Sequence, residues 1–417
     1  MKRLSLWIGK LTLIGLRLFH RRGATLPGLV AEKIYPNFLS DMLVQLPDGV
    51  IVISGTNGKT TSTKMLSAIL RASGKRVLTN PTGSNFTRGI AASVVAQTSW
   101  RGNLDFDIAV IELDEAYAAK FVELVQPRVS LILNGMRDQM DRFGEIDNTA
   151  RLLDTVVRAT TGIVVLNRDD RRVNALRGSA QSEVVLFGVS PDLRDVFRSD
   201  DELHGEIHHA DEQAAVELQA MPDGSVSLLI EGKKYSYPLS LYGVYNAQNA
   251  TAVTALCFAL GLNPTDIGSY ISTVTPAFGR GERIQVGAKR VILQLVKNPG
   301  GFRHALLGSE AISDDHVMIA INDDYADGRD ISWLWDVDFS LLQNHRITTS
   351  GVRAADMALR LRYEDIAVLE CEKDLRQALK MTLLQTPAEG TLLIYTTYTA
   401  MLKLRNLLSD ITEVEAV

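Results

Sequence analysis

The stretch GVIVISGTNGKTT, residues 49–61, decides the fold of this 417-residue chain. Its first six residues are mostly apolar and β-branched, which predicts a buried strand. A helical pattern follows from Lys59 to about Ala72, so a glycine-containing turn joins a strand to a helix. In such a turn the backbone N–H groups surround phosphate oxygens, and the helix N-terminus adds its positive dipole. The stretch therefore predicts a nucleotide-binding loop.

The candidate loop consists of Gly55, Thr56, Asn57, Gly58, Lys59, Thr60 and Thr61. Lys59 supplies a point charge for phosphate, and Thr60 supplies a hydroxyl for Mg²⁺. The usual P-loop pattern has a further glycine five residues before Gly58, where this chain has Ile53, so the loop is a shortened variant. The alternative is a glycine turn followed by a chance Lys-Thr pair, and the agreement of strand, loop and helix opposes it.

A carboxylate is expected beside this loop. Glu112 ends the apolar strand IAVIE, which places it at the carboxyl edge of the sheet, where ligands bind in open α/β folds. Together with Thr60 it could hold Mg²⁺ and take part in catalysis. The alternative is that Glu112 simply ends a strand in solvent. This alternative is stronger for the neighbouring Asp114 and Glu115. The run NRDD, residues 167–170, similarly follows a strand and is a further candidate for this edge of the sheet. The alternative interpretation of this run is a turn or a helix cap.

Two series of strands predict an α/β architecture. Runs at 107–112, 129–134 and 162–167 alternate with helical segments, which indicates a mostly parallel sheet. A second, Rossmann-like series has expected strands at 290–296, 316–322, 345–350, 365–370 and 391–397. Between the two, a polar stretch at about 189–237 predicts an inserted antiparallel element. We expect three parts: a helix and lead-in (1–45), a central nucleotide-binding domain (46–284) and a C-terminal domain (285–417).

The composition excludes several classes of protein. With 44 Lys and Arg against 49 Asp and Glu, the formal net charge is −5, which offers no general attraction for nucleic acid. The two cysteines, Cys257 and Cys371, lie in unrelated contexts, which argues against a disulfide framework or a thiolate metal site. This usage fits a reducing cytoplasm, and we expect a small-molecule or lipid-linked partner.

The N-terminal segment differs in charge from the rest of the chain, because its first 31 residues contain no Asp or Glu. An apolar stripe recurs at helical spacing; it consists of Leu4, Trp7, Ile8, Leu11, Ile14 and Leu18. Arg3, Lys10 and Arg17 lie on the other side and interrupt the apolar run, so the pattern predicts an amphipathic helix rather than a spanning one. Two interpretations stay open: packing on the protein's own domain, or peripheral contact of residues 1–22 with the anionic inner face of the cell membrane.

The motif GTNGKTT resembles the ATP-binding loop of the Mur ligase superfamily, which also contains the folylpolyglutamate synthases. Further segments fall in the order that such ligases show: RDQMDRFGEID (137–147), NRDD (167–170), GVYNAQNATAV (243–253) and GRGER (279–283). Within the superfamily the chain most resembles the MurT family, the ligase subunits of lipid II isoglutaminyl synthases. The segments that carry this likeness are RRGATLPG (21–28), RDQMDRFGEID, KNPGG (297–301) and NDDYADGRDISWLWDVDF (322–339). The resemblance covers nearly the whole chain outside the polar insertion.

The resemblance implies a P-loop ATPase domain and a reaction that uses ATP and Mg²⁺. In this chemistry ATP phosphorylates a carboxylate, and an amine then displaces the phosphate. Lys59 would position the phosphates and neutralise their charge, and Thr60 and Glu112 would do so through the Mg²⁺ that they hold. Asn246 and Asn249 match the asparagines on the adenine side of the nucleotide, with the polar face of a helix as the alternative. Arg280 matches the position that links to the third domain.

For a MurT-type chain, the resemblance implies amidation of the α-carboxylate of D-glutamate in the lipid II stem peptide to D-isoglutamine. The ammonia would come from a GatD-type glutaminase partner in a heterodimer. This chain offers no nucleophile for that step, because Cys257 lies in an apolar helical run and Cys371 follows a strand with only charges after it. Asp330 would complete the partner's Cys–His pair by orienting the histidine, with a loop or capping aspartate as the alternative. Two other functions stay open: a folylpolyglutamate- or muropeptide-type ligase that adds an amino acid, and a binding subunit without catalysis.

One departure from the family pattern concerns zinc. Many MurT proteins have a four-cysteine zinc ribbon in the middle domain, whereas the stretch after Val189 contains no cysteine here. It does contain His204, His208 and His209. In an acidic loop these histidines are expected to be solvated, so zinc is not expected.

A second departure concerns the acceptor. Typical Mur ligases have a His after the Asp equivalent to Asp138 and a carbamylated Lys further on. Here Gln139 follows, and no Lys occurs between Met140 and Arg168. The second metal site of those ligases is therefore not carried over, and ammonia is favoured over an amino acid as the attacking amine.

Overall fold

The computed structural model describes the whole chain except residues 19–24, 81–86, 137–145, 200–201, 203–209, 211, 223, 242, 276–279, 309–315 and 415–417. Several residues named or quoted above lie outside this description: Arg21, Arg22, Asp138, Gln139, His204, His208, His209 and Gly279. For Arg280 the backbone is described and the side chain is not. No described helix combines the length and the hydropathy needed to cross a bilayer.

Among the residues that the structure describes, the first of two sheets contains nine strands. They are β1 (Val50–Ser54), β2 (Val77–Thr79), β3 (Ile108–Glu112), β4 (Val129–Ile132), β5 (Ile163–Asn167), β6 (Glu183–Val189), β7 (Val216–Ala220), β8 (Ser225–Ile230) and β9 (Lys233–Pro238). Their spatial order is β2-β3-β1-β4-β5-β6-β7-β8-β9. The pairs from β2 to β7 are parallel, and β8 and β9 add antiparallel pairs. Because β1 lies between β3 and β4, the strand order reverses there, which opens a crevice at the carboxyl ends of the strands.

Helices cover both faces of this sheet. They are α1 (Lys2–Leu18), α2 (Leu26–Ile34), α3 (Phe38–Leu43), α4 (Lys59–Ala72), α5 (Thr87–Gln97), α6 (Glu115–Val122), α7 (Ile146–Ala159), α8 (Arg171–Ala175), α9 (Val244–Ala259) and α10 (Pro264–Ile271). Successive residues of β1 face opposite sides, so Ile51 and Ile53 pack in one core with α4 and α9, and Val50 and Val52 pack in another with α1 and α5. The GVIVIS strand is therefore buried on both faces.

In the described part of residues 280–414, the second sheet has six strands. They are β10 (Arg280–Val286), β11 (Lys289–Leu295), β12 (His316–Ala320), β13 (Arg346–Ser350), β14 (Val368–Glu372) and β15 (Thr391–Thr396). The order is β10-β11-β15-β12-β13-β14, parallel throughout except for the antiparallel edge strand β10. Its helices are α11 (Pro299–Leu307), α12 (Ala354–Arg362), α13 (Leu375–Gln385) and α14 (Tyr398–Ser409). Short 3₁₀ helices occur at Leu176–Ser179, Pro191–Leu193, Ser332–Asp336 and Ser340–Leu342.

The predicted α/β class, with a mostly parallel central sheet and a Rossmann-like second sheet, is confirmed. The strands expected from the sequence correspond to β1, β3 to β5 and β11 to β15, although β14 begins at Val368, later than expected. The sequence analysis does not predict β2, β6 or β10. Within the polar insertion, β8 and β9 pair in antiparallel fashion and β7 joins them to β6, so this element continues the main sheet. The predicted domain edges remain predictions.

The N-terminal helix packs on its own domain, but not through its apolar stripe. It lies on α2 and α5, and the residues it buries are Ser5, Leu6, Gly9 and Lys10. Ser5 Oγ donates a hydrogen bond of 2.7 Å to the carbonyl of Ala31. The small residues let the helix backbones approach closely, which explains why this face, and not the larger apolar one, is buried.

We predict that Gly9→Leu loosens α1 and that Gly15→Leu does not. A Cβ at Gly9 would lie 3.2 Å from the Val95 methyl groups and 3.3 Å from the carbonyl oxygen of Pro27, whereas at Gly15 it would meet nothing within 4 Å. Overpacking of this kind destabilises by about 1–3 kcal/mol. Amide hydrogen exchange of the α1 peptide should therefore quicken about fivefold or more in Gly9→Leu.

Gly15→Leu is the matched control, because it makes the same change in helix propensity on the same helix. Equal exchange rates in the two variants would show that the close approach at Gly9 does not hold the helix in place.

Candidate active site

The predicted nucleotide loop lies at the carboxyl end of β1, in the crevice of the first sheet. Gly55 and Gly58 both have positive φ, at 122° and 88°. A Cβ at Gly55 would lie 2.8 Å from the carbonyl oxygen of Asn134, and one at Gly58 would lie 2.2 Å from Asn249 Oδ1. Glycine is therefore required at both positions by backbone conformation and by space.

Side chains from the next strand hold this loop in shape. Asn134 follows β4; its Oδ1 accepts from the Asn57 N–H at 2.8 Å, and its Nδ2 donates to the Asn57 carbonyl at 3.1 Å. Thr56 Oγ1 donates to Glu115 Oε1 at 3.0 Å and accepts from the backbone N–H of Met136 at 3.1 Å. The loop is thus fixed by hydrogen bonds before any phosphate binds.

Lys59 is buried beneath the loop and surrounded by oxygen atoms. Its Nζ donates to the carbonyl of Gly55 at 2.5 Å and to that of Thr56 at 3.2 Å. The same Nζ lies 3.0 Å from the carboxylate of Asp114 and 4.0 Å from that of Glu115. Glu115 is 2% exposed, so the interpretation of this residue as a solvated strand end is wrong. Phosphate oxygens that reach Lys59 would compete with the Asp114 carboxylate for it.

Thr60 and Glu112, the predicted magnesium ligands, lie together. Thr60 Oγ1 is 3.2 Å from Glu112 Oε1. Asn80 fixes the end of β3, because its Nδ2 donates to the Glu112 carbonyl at 3.0 Å and its Oδ1 accepts from the Glu112 N–H at 3.1 Å. A hydroxyl and a carboxylate at the first turn of a phosphate-binding helix are the hard oxygen donors that Mg²⁺ takes beside nucleotide phosphates, so these residues fit the ion.

Helix α9 brings both predicted asparagines into the interior of the site. Asn246 and Asn249 are 1% and 5% exposed. Asn249 contacts Gly58 through its Oδ1, while its Nδ2 is buried without a hydrogen-bond acceptor among the described residues. A buried amide donor beside the loop suits a nucleotide acceptor group. Strand β10 places the backbone of Arg280 opposite Gln294.

The run NRDD forms a helix cap, in agreement with the alternative interpretation given for it. Asp170 caps α8, since its Oδ1 accepts from the N–H groups of Arg172 and Val173, both at 3.1 Å. Its Oδ2 also accepts from the N–H of Gly135 at 2.7 Å. The cap therefore fixes the turn that follows β4, and this turn contacts the nucleotide loop through Met136.

A pair of asparagines joins the nucleotide loop to the second sheet's domain. Asn57 Nδ2 donates to Asn298 Oδ1, and Asn298 Nδ2 donates to Asn57 Oδ1, each at 3.1 Å. Asn298 also caps α11, because its Oδ1 accepts from the N–H of Gly301 at 2.8 Å. The KNPGG segment therefore presents the start of a helix to the loop.

Asp330 lies in the second domain, after β12. It is half-buried, and its Oδ1 accepts from the N–H of Ser332 at 2.8 Å, at the start of the 3₁₀ helix Ser332–Asp336. The nearby Asp327 anchors this segment: it accepts from the N–H and hydroxyl of Thr399 at 2.7 and 2.5 Å, and burial raises its pKa. The catalytic role of Asp330 remains a prediction.

The cysteines differ in environment. Cys257 lies on α9 and is fully buried in the core, as expected, and burial raises the pKa of its thiol, which disfavours the nucleophilic thiolate. Cys371 is exposed on β14.

Several contacting residues were missed by the sequence analysis. They are Asn80, Asn134 and Asn298. Asn134 had a usable signal, because it ends the apolar run VSLILN just as Glu112 ends IAVIE. Asn298 had only the KNPGG resemblance, since its partner lies 241 positions away in the chain.

Fold and loop together define an ATP-dependent ligase of the Mur class. Residues 53–257 match the family model described as Mur ligase middle domain. The solved structure of MurF from Acinetobacter baumannii superposes with a TM-score of 0.71 at 22% identity, covering 92% of this chain and 80% of that one.

The second domain narrows this class, because residues 295–401 match the family model described as MurT ligase C-terminal. A MurT subunit of lipid II isoglutaminyl synthase from Staphylococcus aureus is 30% identical over 91% of this chain and 92% of its own length. The corresponding Streptococcus pneumoniae subunit is 31% identical over 93% of each. The chain belongs to the MurT family.

We predict that Asn298→Ser lowers kcat/KM for ATP. Serine keeps a capping oxygen for α11 but is too short to reach Asn57, so the two hydrogen bonds between domains are lost. At about 0.5–1.5 kcal/mol each, their loss should lower kcat/KM for ATP by about fivefold to 150-fold.

Asn263→Ala is the matched control. Asn263 also caps a helix that begins with proline, accepting from the N–H of Thr265, but on α10. It should lower the stability of α10 and leave kcat/KM for ATP unchanged. An equal loss of activity in both variants would assign the effect to helix capping rather than to the contact between domains.

Proposed function

We propose that this chain is the ligase subunit that amidates the α-carboxylate of D-glutamate in the lipid II stem peptide to D-isoglutamine. The curated relatives carry the name lipid II isoglutaminyl synthase (glutamine-hydrolyzing) subunit MurT, which supports this substrate and reaction. The observation that carries the proposal is the fixed nucleotide loop, with Lys59 and the Thr60–Glu112 pair at one edge and Asn298 of the MurT-type domain at the other.

The proposed reaction has two steps. A carboxylate oxygen of D-glutamate attacks the γ-phosphorus of ATP, and the bond to the β-phosphate oxygen breaks, which gives an acyl phosphate and ADP. The nitrogen lone pair of ammonia then attacks the acyl carbon; phosphate leaves and the nitrogen loses a proton, which gives the amide. Both steps depend more on stabilising the negative charge of the phosphate and acyl oxygens than on a general acid or base.

The chain's own residues have definite parts in this scheme. Lys59 moves from the Asp114 carboxylate to phosphate oxygens, because both compete for the same ammonium group. Mg²⁺ bound by Thr60 and Glu112 would add positive charge at the phosphates. Asn249 offers its buried Nδ2 to the nucleotide. Asn298 ties the second domain to the loop while the carboxylate is activated.

The ammonia comes from a partner of the GatD glutaminase type. Neither cysteine here suits that reaction, since Cys257 is buried with its thiol protonated and Cys371 lies on an edge strand. Asp330 reaches across to orient the partner's catalytic histidine.

The proposed surface for this partner lies around Asp330. The 3₁₀ helix that starts there carries Trp335, which is 49% exposed and packs edge-on against the exposed Tyr363 with ring centroids 5.1 Å apart. The Arg360 guanidinium lies 5.4 Å from the Trp335 ring. Exposed aromatic rings beside arginine are typical of protein interfaces. We place the working complex at the inner face of the cell membrane, where the lipid-linked substrate is met.

Mass spectrometry of D-glutamate-containing lipid II tests this function. With ATP and this protein alone, ammonium should give the mass decrease expected when an amino group replaces a hydroxyl, and glutamine should give none. Glu112→Gln should abolish the product, which excludes a contaminating ligase. Turnover of ATP that requires an added amino acid would instead support a ligase of the folylpolyglutamate or muropeptide kind.

We predict that Asp330→Asn separates the two nitrogen sources. In the reconstituted pair, glutamine-dependent amidation should fall by up to about 10⁴-fold, because an asparagine cannot hold the histidine in the required tautomer. Ammonium-dependent amidation should be unchanged.

Asp338→Asn is the control for this variant, since Asp338 accepts from the N–H of Ser340 at 2.9 Å at the start of the next 3₁₀ helix, in the same way as Asp330 does. It should leave both reactions intact. Glutamine-dependent amidation that survives in Asp330→Asn would refute the assignment.

A further inference from the structure

Helix α1 presents its apolar stripe to solvent. Five residues share this outward face, namely Leu4, Trp7, Leu11, Ile14 and Leu18, and each is between 41% and 72% exposed. Scattered exposed apolar side chains are ordinary, but a continuous row along one helix is not. Because Leu6 and Gly9 on the opposite face are packed against the domain, the row has no place in the protein's own core.

A second element extends this surface. Trp100, in the loop after α5, is 51% exposed, and its carbonyl accepts a hydrogen bond of 2.9 Å from Trp7 Nε1. Lys10 Nζ lies 5.4 Å from the centre of the Trp100 ring. The hydrogen bond thus makes Trp7 and Trp100 neighbours on this surface. Indole rings favour the boundary between water and lipid.

The charged side chains of α1 itself are all basic. Arg3 and Arg17 are exposed beside the stripe, so the expectation that they lie on the other side of the helix is wrong; at about 100° per residue they fall next to its edge. Arg101 is exposed next to Trp100, and residues 1–31 contain no acid. An apolar row with basic edges complements a surface that has an apolar interior and anionic headgroups. A second copy of the chain on this face would bring the same arginines together, which like-charge repulsion opposes.

We infer that the outward face of α1, together with Trp100, docks into the headgroup and acyl boundary of an anionic bilayer. The surface is defined by Leu4, Trp7, Leu11, Ile14, Leu18 and Trp100, with Arg3, Arg17 and Arg101 at its edges. The opposite face of α1 stays on α2 and α5, so the helix enters the lipid only as deep as its exposed side chains. This inference deepens the membrane setting of the proposed function, but it concerns lipid binding and not the reaction.

Vesicle flotation of the full chain, without ATP or lipid II, tests the inference. The protein should float with vesicles that contain phosphatidylglycerol and only weakly with pure phosphatidylcholine. The triple variant L4Q/L11Q/L18Q should lower the partition coefficient at least about tenfold, since glutamine keeps helix propensity and removes the buried apolar area. Arg3→Gln and Arg17→Gln should each lower binding to the anionic vesicles about fivefold.

The matched control is L124Q/L369Q/L384Q. These three leucines are exposed to a similar degree as those of the stripe, at 48%, 51% and 73%, but lie on other elements. The control should float as the unchanged protein does. Equal flotation of the two triple variants would overturn the inference. Failure of the unchanged protein to float would also overturn it. So would an L4Q/L11Q/L18Q variant that floats normally and differs only in self-association.

Depth of insertion gives an independent readout. In W333F/W335F the remaining indoles are Trp7 and Trp100, and brominated phospholipid should quench their fluorescence. Unquenched fluorescence on floated protein would overturn the inference. Ammonium-dependent amidation of a water-soluble stem peptide should be the same in L4Q/L11Q/L18Q and in the unchanged protein, so a failure of lipid binding is distinguishable from a failure of the proposed reaction.

Discussion

Close packing of the loop backbone against two asparagines leaves no room for a Cβ at Gly55 or Gly58. The rest of the site depends on this constraint. The loop is folded tightly on Asn134 and Asn249, and the N–H groups of Thr56 and Asn57 both donate to Asn134, to its carbonyl and its Oδ1 respectively. Asn57 then meets Asn298, and this is how the second domain comes to touch the nucleotide loop.

The sequence predicts well what depends on local pattern. Buried parallel strands are continuous apolar runs, so β1, β3 and β5 were evident, and the loop was evident because glycines, lysine and threonine follow β1 directly. Strand β10 was missed because RGERIQV mixes charged and apolar residues, as an edge strand does. The side chains that hold the loop were missed for another reason: Asn80 and Asn298 act through contacts with residues far away in the chain, which no spacing rule reveals.

The orientation of α1 shows a different limit of sequence patterns. Periodicity shows that a helix has two unlike faces, but it does not show which face the protein uses. Here backbone proximity decided the matter, since Ser5 and Gly9 allow α1 to approach α2 and α5 more closely than a leucine row could. The larger apolar side chains were left on the outside, against the common expectation for a globular protein.

The acidic residues beside the loop have a consequence for the form in which the nucleotide enters. Around the described part of the loop, the Lys59 ammonium lies near the carboxylates of Asp114 and Glu115, and the Glu112 carboxylate lies beside the Thr60 hydroxyl. A bare triphosphate approaching these groups meets repulsion from like charge, whereas a triphosphate that already carries a divalent cation brings the compensating charge with it. Under the proposed function, these carboxylates would therefore favour entry of the nucleotide with its cation already bound.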